Sequence, residues 1–243
     1  MLPRSDGGCS ATGTSACEGT KVPRHTHGMH LHPEEPQASS WEALDDVELT
    51  VRVRGLFPAE KPALVLVDGR SGGGKSTFAE RLSRLLGGAL VHSDDLAWHH
   101  DPIHWADILV DSVIAPWRRG DAIHFRPPGW VARDRPGAVE VQPNPVLIVE
   151  GVGAGRSGLA AGAELVVWVQ SDRAEARRRG IERDVILGRT PEDAEATWDE
   201  WMRAEEPFLA NDQPWTRASL VVNGTPPTAM QAHTFVAPGP LNA

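Results

Sequence analysis

Three features that would each place the chain in a particular class of protein are scarce or missing. The sequence has only two cysteines, Cys9 and Cys17, and two thiols in a polar, glycine-rich start do not make a disulfide framework. No apolar run reaches the roughly 18 residues of a membrane-spanning helix. The start, "MLPRSDGGCSATG", lacks the apolar core of a secretory signal. We therefore expect a cytoplasmic protein that does not associate with membranes.

Positive charge is also in deficit. The 243 residues carry a formal net charge of −9, which argues against nucleic acid or an anionic membrane as the main partner. A small anionic ligand remains compatible, because a local site can be positive within an acidic protein. With 40% apolar residues, the chain can bury the core of one domain.

Both ends of the chain lack hydrophobic periodicity. Residues 1–40 are rich in Gly, Ser, Thr, Pro and His, and this composition predicts a disordered N-terminal tail whose removal leaves the fold intact. The segment "HTHGMHLH" within it could hold a metal ion, although a solvated tail is the favoured interpretation. Residues 226–243 are predicted to form a flexible C-terminal tail. A single domain is expected over residues 41–225.

Apolar runs alternate with helical periodicity within this domain. Continuous runs rich in Val, Leu and Ile are typical of parallel strands covered on both faces, and they occupy Ala63–Val67, Ala89–His92, Val146–Glu150, Leu165–Val169 and Leu220–Val222. Helical patterns lie between them, at Lys75–Leu86, around Trp105–Val113 and from Thr190 onward. The alternation predicts a doubly wound, mostly parallel five-stranded α/β sheet with helices on both faces.

Two segments do not follow this alternation. Residues 47–55, "VELTVRVRG", suit either an exposed strand or one face of a helix. Residues 122–145 have strand-like ends separated by proline-glycine turns, which predicts a hairpin standing off the sheet.

A glycine-rich loop joins the first predicted strand to the first helix. The segment "GRSGGGKST" matches G-x-x-x-x-G-K-[ST] without a mismatch, and its residues are Gly69, Arg70, Ser71, Gly72, Gly73, Gly74, Lys75, Ser76 and Thr77. Such a loop turns backbone N–H groups toward phosphates, its lysine reaches the β- and γ-phosphates, and its hydroxyl can ligate Mg²⁺. The motif predicts a P-loop NTPase fold that binds ATP and Mg²⁺, with Lys75 and Ser76 in these two roles.

Acidic residues follow two other predicted strands. Ligands of open α/β sheets bind at the carboxyl ends of the strands, where the sequence places Asp94 and Glu150. Phosphoryl transfer uses one acid as a base toward the acceptor hydroxyl and another to hold Mg²⁺, and we assign these roles to Asp94 and Glu150. The alternative for Asp94 is a helix cap.

Arginines are concentrated in "ARRRGIERDVILGR". Arg179 and Arg183 are four residues apart and share a helix face, so they could close over the γ-phosphate and stabilise its developing charge. A solvated face paired with acids such as Glu175 is the alternative.

In this order, the phosphate loop, "VHSDDL", "LIVEGV" and "ARRRGIERDVILGRT" resemble the uridine kinase-like family of P-loop kinases over about residues 60–225. The resemblance implies that Asp94 is the base toward a nucleoside 5′-hydroxyl, that Glu150 helps to bind magnesium and that the arginines form a lid. The family's tyrosine-aspartate pair has no counterpart, because the sequence has no tyrosine. Candidates for the acceptor pocket are His124, Arg126 and Trp130, with Trp98 as a stacking platform. The alternative for all four is that they are packing residues of the hairpin.

The expected function is an ATP- and Mg²⁺-dependent kinase acting on a small-molecule phosphate acceptor, with a nucleoside as the favoured acceptor. One alternative is a nucleoside monophosphate kinase, which needs extra cations for the acceptor's phosphate; the candidates are Arg118, Arg119, Arg126 and Arg133. The other alternative is a nucleotide-binding regulatory protein that hydrolyses NTP slowly.

Overall fold

The computed structural model describes residues 21–22, 28–57, 62–101, 103–226 and 232–242. The strands are β1 (Lys21–Val22), β2 (Trp41–Leu44), β3 (Ala63–Gly69), β4 (Ala89–His92), β5 (Ile123–Phe125), β6 (Val139–Val141), β7 (Val146–Glu150), β8 (Leu165–Gln170), β9 (Leu220–Asn223) and β10 (Thr234–Pro238). The helices are α1 (Asp46–Arg54), α2 (Lys75–Leu86), α3 (Ser93–Ala97), α4 (Ala106–Leu109), α5 (Ala115–Arg118), α6 (Pro128–Ala132), α7 (Ser157–Ala160), α8 (Arg173–Ile186) and α9 (Pro191–Asp212). None of these helices is both long and apolar enough to cross a membrane.

The centre of the main sheet is parallel. Its order is β1-β2-β10-β9-β8-β3-β7-β4, and the five strands from β9 to β4 pair in parallel. These are the five strands that the sequence predicts, so the predicted doubly wound α/β fold is confirmed. Val67 of β3 and His92 of β4 both lie opposite Glu150 of β7, and this register brings the carboxyl ends of the three strands together.

Alternate strand residues supply the two halves of the core. On one face of the sheet, Val65, Val67 and Ile148 pack against residues of α1 and α2. On the other face, Leu66 and Val149 pack in a cluster with residues of α3, α4 and α9. Because both faces are covered, the central strands are apolar in nearly every position, as parallel strands require.

The prediction of a disordered tail over residues 1–40 is wrong for the part that the structure describes. Ala38 is 6% exposed and Glu35 also 6%, and β1 pairs with β2. Residues 28–40 have little periodicity because they bury single side chains along an irregular path. Residues 1–20 and 23–27, which include His25 and His27, lie outside the described residues.

The predicted C-terminal tail is likewise wrong for its described part. Strand β10 lies between β2 and β9 and is antiparallel to both, and Phe235 is 1% exposed. Strand β10 has five residues and no helical or strand pattern beside it in the sequence, so the sequence pattern does not predict it. The sheet therefore extends beyond the predicted five strands, and the folded unit extends beyond residues 41–225. Residues 227–231 and 243 lie outside the described residues.

The two undecided segments are resolved by the structure. Residues 46–54 form α1, which begins with a capping box between Asp45 and Glu48. Strands β5 and β6 form a separate antiparallel pair with α6 between them. The predicted helix around Trp105–Val113 continues past Pro116, because a π-helical turn, Val110–Ile114, joins α4 to α5.

Candidate functional site

A cleft of about 1640 Å³ opens at the carboxyl ends of the parallel strands. It brings together most of the residues that the sequence assigns to phosphoryl transfer, and its wall includes Ser71, Gly72, Gly74, Lys75, Ser76, Thr77, Asp94, Glu150, Arg179 and Arg183. Gly69, Arg70 and Gly73 belong to the same loop but are not part of the cleft wall in the described structure. A cleft of this size exceeds the roughly 300–1,000 Å³ of a typical single-ligand pocket, so it offers space for two ligands side by side.

The phosphate loop presents a cation and uncapped amides to the cleft. The Lys75 ammonium donates to the carbonyl oxygen of Arg70 at 3.1 Å. Gly74 precedes α2 and has no side chain that could cap it, so the N–H groups of the first turn remain available to an anion. A helix N-terminus next to a lysine is suited to a polyphosphate.

Ser76 and Glu150 form an oxygen pair beside the loop. Ser76 Oγ donates to Glu150 Oε1 at 3.1 Å, and His92 Nδ1 lies 2.5 Å from the same oxygen. Burial acts to raise the pKa of Glu150, but the His92 hydrogen bond and the Lys75 charge outweigh it, so the pKa is lowered. Conversely, the hydrogen bond with Glu150 raises the pKa of His92. Glu150 is therefore ionised at neutral pH, as a cation ligand must be.

Asp94 lies in the first turn of α3, directly after β4, and faces the cleft. Gly151, the residue after Glu150, has a φ of 146° and contacts Ser93 so closely that a side chain would collide with the serine. This close approach brings the Asp94 turn next to the end of β7. Desolvation by the cleft walls raises the pKa of Asp94, Lys75 opposes that shift and the Glu150 charge adds to it.

The arginines come from α8, which packs on α9. Arg179 donates to Glu175 at 2.8 Å and to the carbonyl oxygen of Gly224 at 2.7 Å. Arg183 contacts Asp184, with hydrogen bonds of 3.1 and 3.0 Å. Both arginines line the cleft. Arg179 therefore pairs with Glu175, as one interpretation of the sequence expects, and also lies in the cleft wall, as the other expects.

Three of the candidate acceptor residues lie outside the cleft wall in the described structure, which favours the packing alternative for them. His124 contacts Glu140 on the β5–β6 pair, Arg126 donates to the carbonyl oxygen of Arg135, and Trp130 is buried with its indole N–H bonded to the carbonyl oxygen of Asp95. They turn away because β5, β6 and α6 pack among themselves and on α3. Trp98 does line the cleft, as do Trp198 and Trp201.

Sequence reasoning missed buried carboxylates in β3 and in α9. Asp68, at the end of β3, accepts hydrogen bonds from Gly69, Gly153 and Gly155, and burial raises its pKa to about 6. An acid in the run "LVLVDG" was a usable signal, of the kind that identified Glu150. Glu205 of α9 accepts from the Ser71 N–H, and no local pattern marks it.

The histidine-rich segment does not form a metal centre in the part of the chain that the structure covers. His30 lies 3.4 Å from Asp172 and His32 3.7 Å from Glu206. Within the described ranges, no group of three or more His, Cys, Asp or Glu side chains is arranged for a metal ion.

Comparison with known proteins gives structural matches only. No family model matches the chain, and no curated protein does so. A candidate fructose transport system kinase from Silicibacter sp. TM1040 is 19% identical, with a TM-score of 0.53 over 70% of this chain and 93% of that one. A candidate uridine kinase from Bacillus stearothermophilus is 16% identical, with a TM-score of 0.46 over 72% and 96%. Shikimate kinase from Bacteroides thetaiotaomicron is 14% identical, with a TM-score of 0.33 over 67% and 86%.

We assign the fold from the first of these matches together with the strand order. The chain has the P-loop α/β fold that its sequence predicts. Since one fold supports many activities, function has to be argued from the cleft.

Proposed function

We propose that this protein is an ATP- and Mg²⁺-dependent phosphotransferase that moves the γ-phosphate to a hydroxyl group of a small molecule. The observation that carries the proposal is the meeting of Lys75, Ser76, Glu150 and Asp94 in one cleft at the ends of three parallel strands. These residues supply a phosphate cation, two oxygen ligands and a carboxylate base, which phosphoryl transfer requires. The resemblance of the sequence to uridine kinase-like proteins favours a nucleoside as the acceptor.

The residues fit both cofactors. The uncapped N–H groups at the start of α2 and the Lys75 ammonium suit the phosphates of ATP. Ser76 Oγ and Glu150 Oε1 are neighbouring hard oxygens, which suit Mg²⁺. When bound, Mg²⁺ would neutralise charge on the phosphates. Within the protein, His92 orients Glu150 through the 2.5 Å contact.

Asp94 is the proposed base. It accepts the proton of the acceptor hydroxyl while the oxygen attacks the γ-phosphorus, and ADP leaves with the electron pair of the broken P–O bond. Arg183 lies in the same cleft wall and stabilises negative charge that develops on the transferring group. No covalent intermediate with the protein is needed, because positioning and electrostatics supply most of the rate.

The arginines that the sequence offers for a phosphorylated acceptor do not line the cleft. Arg118, Arg119, Arg126 and Arg133 are not part of its wall in the described structure, although the wall does include Arg81 and Arg189. Arg118 and Arg119 contact Glu164 and Asp121 instead. Three tryptophans in the wall, Trp98, Trp198 and Trp201, suit the stacking of a ring-containing alcohol.

The test is ADP release measured with ATP, Mg²⁺ and a panel of nucleosides, monophosphates, sugars and vitamins. On the best acceptor, Asp94→Asn should lower kcat by roughly 10²–10⁴-fold and leave the Kd for ATP nearly unchanged. Asp95→Asn is the matched control. Asp95 contacts Arg135 at 3.3 Å and lies outside the cleft wall, so this variant should retain kcat.

Normal turnover by Asp94→Asn would exclude Asp94 as the base. ADP release that is independent of every acceptor would support the regulatory NTP-hydrolysing alternative instead of a kinase.

A further inference from the structure

Arg70 and Ser71 of the phosphate loop contact carboxylates from two segments that are distant in the sequence, residues 28–40 and α9. The Ser71 N–H donates to both carboxylate oxygens of Glu205, at 3.1 and 3.2 Å. Arg70 Nη2 lies 3.7 Å from Glu35 Oε2, and Nη1 lies 3.6 Å from Glu206 Oε1. Arg70 is 3% exposed and Glu205 1%, so the contacts of Ser71 with Glu205 and of Arg70 with Glu35 lie out of solvent, whereas Glu206 is partly exposed.

Glu35 is itself held rigidly. Its Oε1 accepts from Trp168 Nε1 at 2.7 Å and from Gln170 Nε2 at 3.0 Å, both in β8. The next turn of the segment is bonded to the same strand, because the Ala38 N–H donates to Gln170 Oε1 at 3.0 Å. Glu35 therefore offers Arg70 a carboxylate at a fixed position.

These buried charges are poorly suited to stabilising the fold. Glu35 Oε2, Arg70 Nε and Arg70 Nη2 have no hydrogen-bond partner in the described structure. Buried ion pairs of this kind cost desolvation that their attraction does not fully offset, and apolar replacements are often neutral or stabilising. They can affect the geometry of the loop directly, because the loop is tightly packed. A Cβ on Gly73 would lie 2.7 Å from Ser171 Oγ and 2.8 Å from the carbonyl oxygen of Arg70.

We propose that Glu35 and Glu205 are positioning residues for phosphate binding, which rests on the ATP-dependent function proposed above. Together they fix the turn at Arg70 and Ser71, and this turn sets the direction of the N–H groups that follow it in the loop. Neither residue is part of the cleft wall in the described chain, so they act through the loop and not on the ligand. The N-terminal segment thus acts on the proposed nucleotide site through the phosphate loop.

The direction of the change in nucleotide affinity, when Glu35 or Glu205 is neutralised, separates a positioning role from a purely electrostatic one. Removing a negative charge near Lys75 would, by Coulomb's law alone, tighten the binding of an anion. Loss of the fixed turn at Arg70 and Ser71 would instead weaken the binding of the anion. Loss of a hydrogen bond or ion pair that involves a charged group corresponds to roughly tenfold or more in affinity.

The experiment is calorimetric titration of the full-length protein with Mg²⁺-ATP and with Mg²⁺-ADP, together with the Tm of each variant. Glu35→Gln and Glu205→Gln should each raise both Kd values by roughly tenfold. Glu34→Gln is the matched control, because Glu34 is the neighbouring acid, is exposed and bonds Gln213 at 2.6 Å. It should retain the wild-type Kd.

A double variant, Glu35→Gln/Arg70→Met, covers the case in which a single substitution prevents folding. It removes both charges of the buried pair, so it should keep a Tm close to that of the wild type and still bind ATP weakly. Unchanged or tighter binding by the folded variants would overturn the positioning role, as would a lower Tm with unchanged Kd values. If the wild type itself binds neither ATP nor ADP, the proposed function fails and the positioning role fails with it.

Discussion

Asp68 and Glu150 end neighbouring strands and are both buried, yet their pKa values shift in opposite directions. Glu150 receives a hydrogen bond from His92 and feels the Lys75 charge, and its pKa is lowered. Among the described residues Asp68 accepts from backbone N–H groups, and these bonds and the Lys75 charge do not offset burial, which raises its pKa to about 6. Glu150 is therefore suited to a cation, whereas Asp68 orders the loop that follows β7.

The raised pKa of Asp68 predicts a pH-dependent stability. Between the ordinary aspartate pKa of 3.8, which applies to the unfolded chain, and the folded value of about 6, the folded protein binds a proton that the unfolded chain has released. The contribution of Asp68 to the free energy of unfolding is therefore fully present below about pH 4 and is lost as the pH rises through about 6. Asp68→Asn should remove this dependence, and should destabilise the protein more at pH 4.5 than at pH 7.

Urea unfolding at several pH values measures this effect. Asp101→Asn is the control: hydrogen bonds from the His104 and Ile103 N–H groups lower the pKa of Asp101 to about 2, so its titration lies below this window and the variant should keep the wild-type slope. An equal loss of stability by Asp68→Asn at both pH values would contradict the prediction.

The α8–α9 hairpin is the element that carries Arg179 and Arg183, and its geometry depends on one small residue. Gly180 of α8 lies against the ring of Trp198 of α9 so closely that a Cβ would collide with it. Sequence periodicity predicts both helices but not this contact, because the two residues meet only when the helices pack together.

Gly180→Ala tests this packing. Alanine favours helix by about 1 kcal/mol over glycine, but the collision should outweigh that gain and lower the free energy of unfolding by about 1–3 kcal/mol. In the double variant Gly180→Ala/Trp198→Leu, the smaller side chain should remove the added cost. A double-mutant cycle that includes Trp198→Leu alone measures the coupling in urea; additive effects would show that the two helices do not meet there.

At the scale of the whole molecule, the sheet is completed by segments from both ends of the described chain. Strand β10 pairs with β9 on one side and with β2 on the other. The antiparallel strands therefore cover the edge that a five-stranded sheet would leave open, and open edges are a liability in soluble proteins.

Phe235→Ala tests whether β10 is part of the core. The side chain is 1% exposed in the same cluster as Trp41 and Trp168, so its removal should lower the free energy of unfolding by about 3–5 kcal/mol. Val51→Ala, at a position that is 68% exposed, should change it by less than about 0.5 kcal/mol. Equal unfolding midpoints in urea for the two variants would instead be expected of a flexible C-terminal tail.

The phosphate loop, the five parallel strands and two of the acids at the strand ends, Asp94 and Glu150, were readable from the sequence alone. Each depends on residues that are adjacent in the chain: a loop of fixed spacing, an apolar run, or a carboxylate directly after such a run. The arginines of α8 were readable for the same reason, since four residues make one helix face. Local spacing thus determined most of the charged side chains that the cleft brings together.

Tertiary structure alone decided the antiparallel strands β1, β2 and β10, the tryptophans of the cleft wall, and the contacts of Glu35 and Glu205 beneath the phosphate loop. Glu205 meets Ser71 across 134 positions, and Glu35 meets Gln170 across 135. Such contacts leave no periodic trace, because they join single residues of segments whose proximity exists only after the sheet has formed. For the same reason, the tails predicted from composition became part of the fold, and Arg126 and Trp130 turned away from the cleft.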